Sequence, residues 1–184
     1  MPASRADLAQ CLERLGIATE TVEHPPLFTV EESRALRGEI AGGHTKNLFL
    51  KDKKDQLFLV VAEEAAEIDM KSLHRRIGSA RLSFGRPELL VALLGVAPGA
   101  VTPFGAINDS AGRVSVILDA ELMRHERLNF HPLENTATTT IGRDDLLAFL
   151  RHTGHEPRIV SVAGGAAGAA PADAEADSAL ESRA

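Results

Sequence analysis

Lys46 and Asn47 stand together at the mouth of an apolar run, Leu48-Phe49-Leu50, where a cation and an amide can face a ligand while a sheet holds their backbone. Residues 95–105 pack three glycines and two prolines into eleven positions, too many breakers for a helix or regular strand and too apolar for a solvated loop. They are read as a stiff loop that lies on the core and presents its own backbone amides. His131 precedes Pro132 at the close of a connection. Taken together, Lys46, Asn47, the segment Gly99 to Pro103 and His131 have the composition of a small-molecule or acyl site: donors on one wall, rigid amides on another, an apolar floor. Taken singly, each also has a plain reading, as a solvated strand-end charge, a turn former, loop punctuation and a packed or capping imidazole.

Other chemistries find less support. His152 and His155 are three apart at a helix end, but no third ligand joins them at a sensible spacing, so no metal site is expected. No serine sits in a strand-to-helix elbow, and Cys11 lies in an apolar stripe with Leu8, Leu12 and Leu15, where it reads as packing. Gly95 and Gly99 lack the Gly-Lys-Ser/Thr ending of a phosphate-binding loop. No cofactor is called for.

The elements that must position these residues alternate in type. A helix starts at Ser4 and stops at Gly16, and a short strand covers Thr19 to Val22. Thr29 to Glu32 reads as a capping box opening a brief helix to Arg37. Gly42 and Gly43 free the backbone just before the lysine strand. That strand enters the core at Leu48 and turns through a charged tip, Lys51 to Gln56, into Leu57 to Val61, which makes a hairpin with Lys46 and Asn47 at its edge. Asp69 caps a helix ending at Gly78, residues 80–84 alternate as a strand, and Pro87 opens a helix that stops at Gly95. Beyond the loop come a strand at Val114 to Leu118, a short helix from Asp119 through Met123, a strand at Thr136 to Ile141, an amphipathic helix from Asp144 to His152 and a strand at Arg158 to Val162. Interleaved helices, strands and hairpins imply one α/β (or α+β) domain with a mixed sheet.

The 184 residues suit one domain with a full core, at 44% hydrophobic and 25% charged. One cysteine excludes an internal disulfide framework, and no stretch approaches the roughly 18 apolar residues of a membrane span. A cytoplasmic protein with no membrane association is expected. The net charge of −6 argues against a general nucleic-acid coat. Its distribution is uneven: residues 46–86 hold nine basic side chains against six acidic ones, whereas the last twelve hold four acidic against one basic. From residue 163 onward Ala, Gly, Pro and Asp dominate, so residues 163–184 are expected to be a disordered acidic tail behind a domain spanning 1–162.

The run Gly43-His44-Thr45-Lys46-Asn47-Leu48-Phe49-Leu50, the loop from Gly95 to Gly105 and Asn129-Phe130-His131-Pro132, in that order, resemble the YbaK-like family of aminoacyl-tRNA deacylases, which is related to the editing domain inserted in bacterial prolyl-tRNA synthetases. The likeness covers about residues 4–162 and is nearest to the free-standing Ala-tRNA(Pro) deacylases of the PrdX or ProXp-ala type. It implies a single domain with a strongly curved mixed sheet flanked by helices. The activity implied is trans-editing: hydrolysis of the ester in mischarged Ala-tRNA(Pro), with Pro-tRNA(Pro) spared. By family position Lys46 would hold the phosphate or ribose of the terminal adenosine. The amides of Gly99 to Pro103 would grip the acyl carbonyl, while Asn47 and His131 would bond substrate or water. Thr45, Val101, Thr102 and Phe104 would line the substrate site. A water molecule and the adenosine's own hydroxyl would then do the work of a nucleophile.

Selectivity follows from size, because a small stiff cavity can admit alanine and clash with the ring of proline, whereas the reverse discrimination is not available to a pocket. Lys51, Lys53 and Lys54 at the hairpin tip and Arg81 on the next strand are candidates for acceptor-stem phosphates, with idle surface charge as the other reading of Lys53 and Lys54. The expected partners are the acceptor stem and terminal adenosine of aminoacyl-tRNA(Pro), with prolyl-tRNA synthetase as a further one, and the protein is read as a monomer. Two alternatives remain open at this level: a deacylase for another small residue, Cys or Ser, and a non-catalytic tRNA- or synthetase-binding module of the same fold.

Overall fold

The lysine strand β2 (Gly43–Asp52) is where two halves of one sheet are joined. In a computed structural model that describes residues 1–27, 31, 32, 35 and 40–164, β2 pairs antiparallel with β3 (Leu57–Glu63) from Thr45 to Lys51. Its other edge is shared. Gly43 and His44 pair in parallel with β6 (Arg127–Phe130), and Leu50 to Asp52 pair antiparallel with β4 (Leu82–Phe84). Between those two contacts that edge of β2 carries no strand among the described residues. On one side of the break the sheet continues through β6 to β7 (Ala137–Gly142) and β1 (Thr19–Glu23), all antiparallel. On the other it continues from β3 through β5 (Val114–Asp119) to β8 (Arg158–Val160), all parallel. The order β1-β7-β6-β2-β3-β5-β8, with β4 beside β2, is the mixed sheet expected, interrupted at β2.

Alternation sends the two faces of β2 and β3 into different cores. Phe49, Leu57, Leu59 and Val61 face a large core that also holds α1 (Arg5–Arg14), α3 (Pro87–Leu94) and α4 (Arg143–His152). Leu50, Phe58, Val60 and Ala62 face a smaller core with Ile117 and the short helix α2 (Leu73–Ile77). Three caps are those legible in the sequence, whereas Asp69 does not cap α2, whose N-cap is Ser72. Ser4 and Asp7 form a reciprocal box on α1, and Gly78 and Gly95, at φ +72° and +67°, end α2 and α3 in the left-handed conformation.

Several expectations need correction. Lys46 and Asn47 lie within β2, not at its mouth, because Asn129 extends the ladder upstream: its Nδ2 donates to the carbonyls of Ala41 and Gly43. The loop at 95–105 ends in a 3₁₀ helix, Pro103–Asn108, which the sequence reading did not anticipate; the Thr102 hydroxyl caps it by accepting from the Phe104 amide. Asp119 closes β5 instead of opening a helix, since its backbone pairs with Val160 and the 3₁₀ turn that follows spans Leu122–Arg124. The segment read as a bare connection before His131 is β6. The capping box expected at Thr29 to Glu32 lies largely outside the described residues.

Candidate functional site

Lys46 and Asn47 sit on the stretch of β2 that faces the break, and alternation turns their side chains to opposite faces of the sheet. Lys46 pairs across the ladder with Ala62 and shares a face with Leu48 and Leu50. Its ammonium donates to the carbonyl of Ala66, at the wall of a cavity of about 550 Å³ that is otherwise lined by residues 64–69 and Gly164. Glu64, Glu67 and Asp69 are on that lining, so Lys46 works in a locally acidic setting. Asn47 pairs with Val61 and faces the large core, where its side-chain oxygen is buried and has no hydrogen-bond partner among the described residues. A buried acceptor left open costs about 1–3 kcal/mol, which marks it as a place for a donor to arrive.

The glycine-proline loop packs on the Asn47 side. Phe104 is fully buried and meets Phe130 and Phe149 edge-on, at ring-centroid distances of 5.7 and 5.6 Å, which anchors the loop to β6 and α4. The Phe104 ring, expected at the substrate, therefore has no surface to offer one. Gly105 is required by packing, because a Cβ there would lie 2.9 Å from Leu94 Cβ and 3.0 Å from the Leu94 carbonyl oxygen. Gly99 is required by conformation, at φ +91°, and the space above it is open.

Within the loop the backbone donors divide cleanly. Ala100, Phe104 and Gly105 donate internally, to Ala97 O, Thr102 Oγ1 and Thr102 O. Gly99, Val101 and Thr102 have no partner for their amides among the described residues, although Thr102 is wholly buried. Gly99 is exposed and Val101 half-buried, and N–H groups fixed by a packed loop are the kind of donor that stabilises negative charge on a carbonyl oxygen.

His131 and Thr45 are tied to the same region through β6. The Thr45 hydroxyl donates to the carbonyl of Asn129, whose side-chain oxygen accepts from Thr140 Oγ1. His131 Nδ1 donates to the carbonyl of Ala137 at 3.1 Å, and burial, the larger influence, holds the imidazole below its ordinary pKa. The ring is then neutral near pH 7 with its lone pair on Nε2. The turn that follows is strained, with Leu133 at φ +68° held by its packing on the core. His24 lies 6.3 Å from the His131 ring and reaches Thr138 Oγ1, beside a hollow of about 430 Å³ walled by residues 22–27 with Glu32 and Ala35.

The expected tRNA contacts gather at the far end of β2. Lys53 donates its amide to Arg81 O, and Lys51 pairs backbone to backbone with Ser83. Asp52 fixes this corner by accepting from the amides of Lys54, Gln56 and Ala80. The Lys51 ammonium is taken up by Asp55 at 2.6 Å, whereas Arg81 makes no ion pair among the described residues. The structure thus draws together Thr45, Asn47, the loop and His131 through β6 and the large core, and Lys53 with Arg81 at the tip. Lys46 stands apart from them, on the other face of the sheet, with its ammonium on the Ala66 carbonyl. Asn129, His24 and Asp119, which is fully buried with one unpartnered carboxylate oxygen, were given no role at the site by the sequence. Asn129 stood there only as part of a motif and Asp119 only as a helix start. No cluster of three metal-ligating side chains occurs among the described residues, and none of the described helices is long and apolar enough to cross a membrane.

Residues 24–149 match the family of the aminoacyl-tRNA editing domain. The zebrafish (Danio rerio) prolyl-tRNA synthetase associated domain-containing protein 1 is 41% identical over 159 residues, 85% of this chain and 86% of the relative. The prolyl-tRNA editing protein ProX of Acetoanaerobium sticklandii is 37% identical over 156 residues, 84% of this chain and 94% of the relative. A crystal structure described as a proposed trans-editing enzyme for prolyl tRNA synthetase superposes with a TM-score of 0.63 at 22% identity, over 87% of this chain and 98% of the other, a likeness of fold.

Proposed function

The chain belongs to the aminoacyl-tRNA editing domain family, and on that premise we propose that it is a trans-acting deacylase of Ala-tRNA(Pro) that spares Pro-tRNA(Pro) and works in the cytoplasm. The observation that carries the reading is the unpartnered amides of Gly99 and Val101, on a loop anchored to β6 through Phe104 and packed on the large core that Asn47 also faces. A relative named as a prolyl-tRNA editing protein supports the choice of tRNA, and the synthetase in the vertebrate relatives' name supports prolyl-tRNA synthetase as a partner.

Each group then has one task. The terminal adenosine enters at the break, and Lys46 leaves the Ala66 carbonyl, a bond worth about 1–3 kcal/mol, for its phosphate or ribose. The acyl carbonyl oxygen turns to the free amides of Gly99 and Val101. A water molecule attacks the carbonyl carbon, the carbonyl electron pair moves to oxygen, and the loop N–H groups hold the oxyanion. Collapse expels the ribose oxygen, which takes the proton that the water gives up, and alanine and tRNA leave. Asn47 Oδ1 and His131 Nε2 are acceptors for the water or the α-amino group. Lys51, Lys53, Lys54 and Arg81 hold acceptor-stem phosphates, and the packed loop keeps the acyl pocket too small for a ring.

The test is deacylation of Ala-, Cys- and Pro-tRNA(Pro) by the full chain. Alanyl ester should be lost while prolyl ester persists, and Lys46→Ala should lower kcat/KM by about a hundredfold or more, the effect of about 2.7 kcal/mol of lost transition-state binding. Intact alanyl ester, or a Lys46→Ala variant as active as the parent, refutes the assignment.

A further inference from the structure

The charge of Lys46 is partly compensated, because three carboxylates share its cavity. A second cavity, of about 480 Å³ on the same side of the sheet, is lined by Met70, Lys71, His74, Arg75, Arg81 and Leu82, with no acidic residue in its wall. Lys71, Arg75 and Arg81 are exposed, and none makes an ion pair among the described residues. The neighbouring carboxylate, Asp69, spends Oδ1 on the Lys71 backbone amide. His74 contributes a buried Nδ1 with no hydrogen-bond partner, a polar atom left unsatisfied in the wall.

Two features connect this cleft to the proposed 3′-end site. Residues 64–69 line the Lys46 cavity and the chain runs directly on into Met70 and Lys71, so the two hollows are consecutive along one segment. Leu82 pairs with Asp52, six residues along β2 from Lys46, so the two ends of this surface are roughly 20 Å apart measured along the strand backbone. A single anion does not span that distance. A strand advancing about 3.4 Å per nucleotide covers it in about six.

We propose that this cleft is a second nucleic-acid phosphate site: Lys71 and Arg75 each take a backbone phosphate of the duplex behind the single-stranded 3′ end, which fixes the register in which that end reaches Lys46. The site rests on the deacylase reading for its ligand and adds to the phosphate contacts of Arg81 and the hairpin tip. The apolar floor of Met70 and Leu82 carries no sequence preference, so the contact positions the duplex without reading bases.

The test compares the full chain with the double variant Lys71→Gln/Arg75→Gln, both exposed positions whose replacement leaves the cores intact. Binding of deacylated tRNA is measured from low to moderate salt, and deacylation is measured on alanyl-tRNA and on an alanyl ester of the 3′-terminal tetranucleotide. The variant should bind tRNA roughly tenfold more weakly, with the slope of log K against log salt reduced by about 2, and KM for alanyl-tRNA should rise in step with kcat unchanged. Hydrolysis of the tetranucleotide ester should not change. An unaltered salt slope overturns the proposal, and so does an equal loss on the tetranucleotide, which would place the residues at the 3′ end. Should neither ester be cleaved by the parent chain, the deacylase assignment falls, and the binding slopes still decide the cleft.

Discussion

His131 illustrates how one buried hydrogen bond can set a side chain's chemistry. A carbonyl can only accept, so the Ala137 carbonyl forces the proton onto Nδ1 and leaves Nε2 as an acceptor, while burial lowers the pKa and keeps the ring neutral. In the unfolded chain the same imidazole titrates near 6.5. As pH falls below that value the unfolded state takes up the proton first. The cost of His131 to stability therefore grows as pH falls from about 6.5 to its lower folded value, stays at full size below that, and is absent above pH 6.5. Activity should behave in parallel: kcat/KM stays level as pH falls through 6.5 and declines only below it, and His131→Gln should remove that limb. A profile that already bends at or above pH 6.5 because of His131 would contradict a neutral acceptor. The residue types were legible in the sequence, since a lysine, an amide and a histidine before proline stand out. Their directions were not. That Lys46 and Asn47 point to opposite faces follows from a strand that begins at Gly43, and the start of that strand depends on Asn129, more than eighty residues away.

At the level of elements, the hairpin tip is organised by Asp52, whose burial is outweighed by three backbone donors that hold its pKa below the ordinary carboxylate value. Its folded pKa is depressed, so its contribution is complete above the unfolded value near 3.9 and is lost as pH falls through the folded one. Asp52→Ala should destabilise the protein by about 3 kcal/mol in urea unfolding at pH 7, because the amides of Lys54, Gln56 and Ala80 lose a charged acceptor together. The difference from the parent should shrink toward pH 3. A variant as stable as the parent at pH 7 would mean that the tip and the Ala80 turn are satisfied by solvent. The charged tip itself was plain in the sequence, yet its linkage to residue 80 was not, for a hairpin pattern specifies its own two strands and says nothing of the third. The 3₁₀ helix after Pro103 was missed for a related reason: Thr102 caps it with a local bond that only the packing of Phe104 makes decisive.

For the molecule as a whole, the described chain stays bonded to the domain as far as Gly164, two residues past the boundary expected from composition. Val162 is 1% exposed and its amide donates to Asp119 Oδ1, and Gly164 donates to Glu67 O beside the Lys46 cavity. A chain cut after Gly164 should melt with the parent, whereas one cut after Val160 should lose about 2 kcal/mol and several degrees of Tm through the unburied valine and its strand-end bonds. Equal melting of the two would show that residues 161–164, beyond β8, carry no weight. Sequence alone determined most of the element types, the caps at Ser4, Gly78 and Gly95, the mixed sheet and the residue types of the site, because those depend on local sterics and periodicity. It also carried the family likeness. Tertiary structure alone decided that β2 bridges two half-sheets, that the break beside it exposes Lys46 and Asn47 on opposite faces, and that Val101 and Thr102 keep their amides free. Each depends on which distant segment satisfies a backbone group, and a chain read in order holds no record of partners that only folding brings within hydrogen-bonding distance.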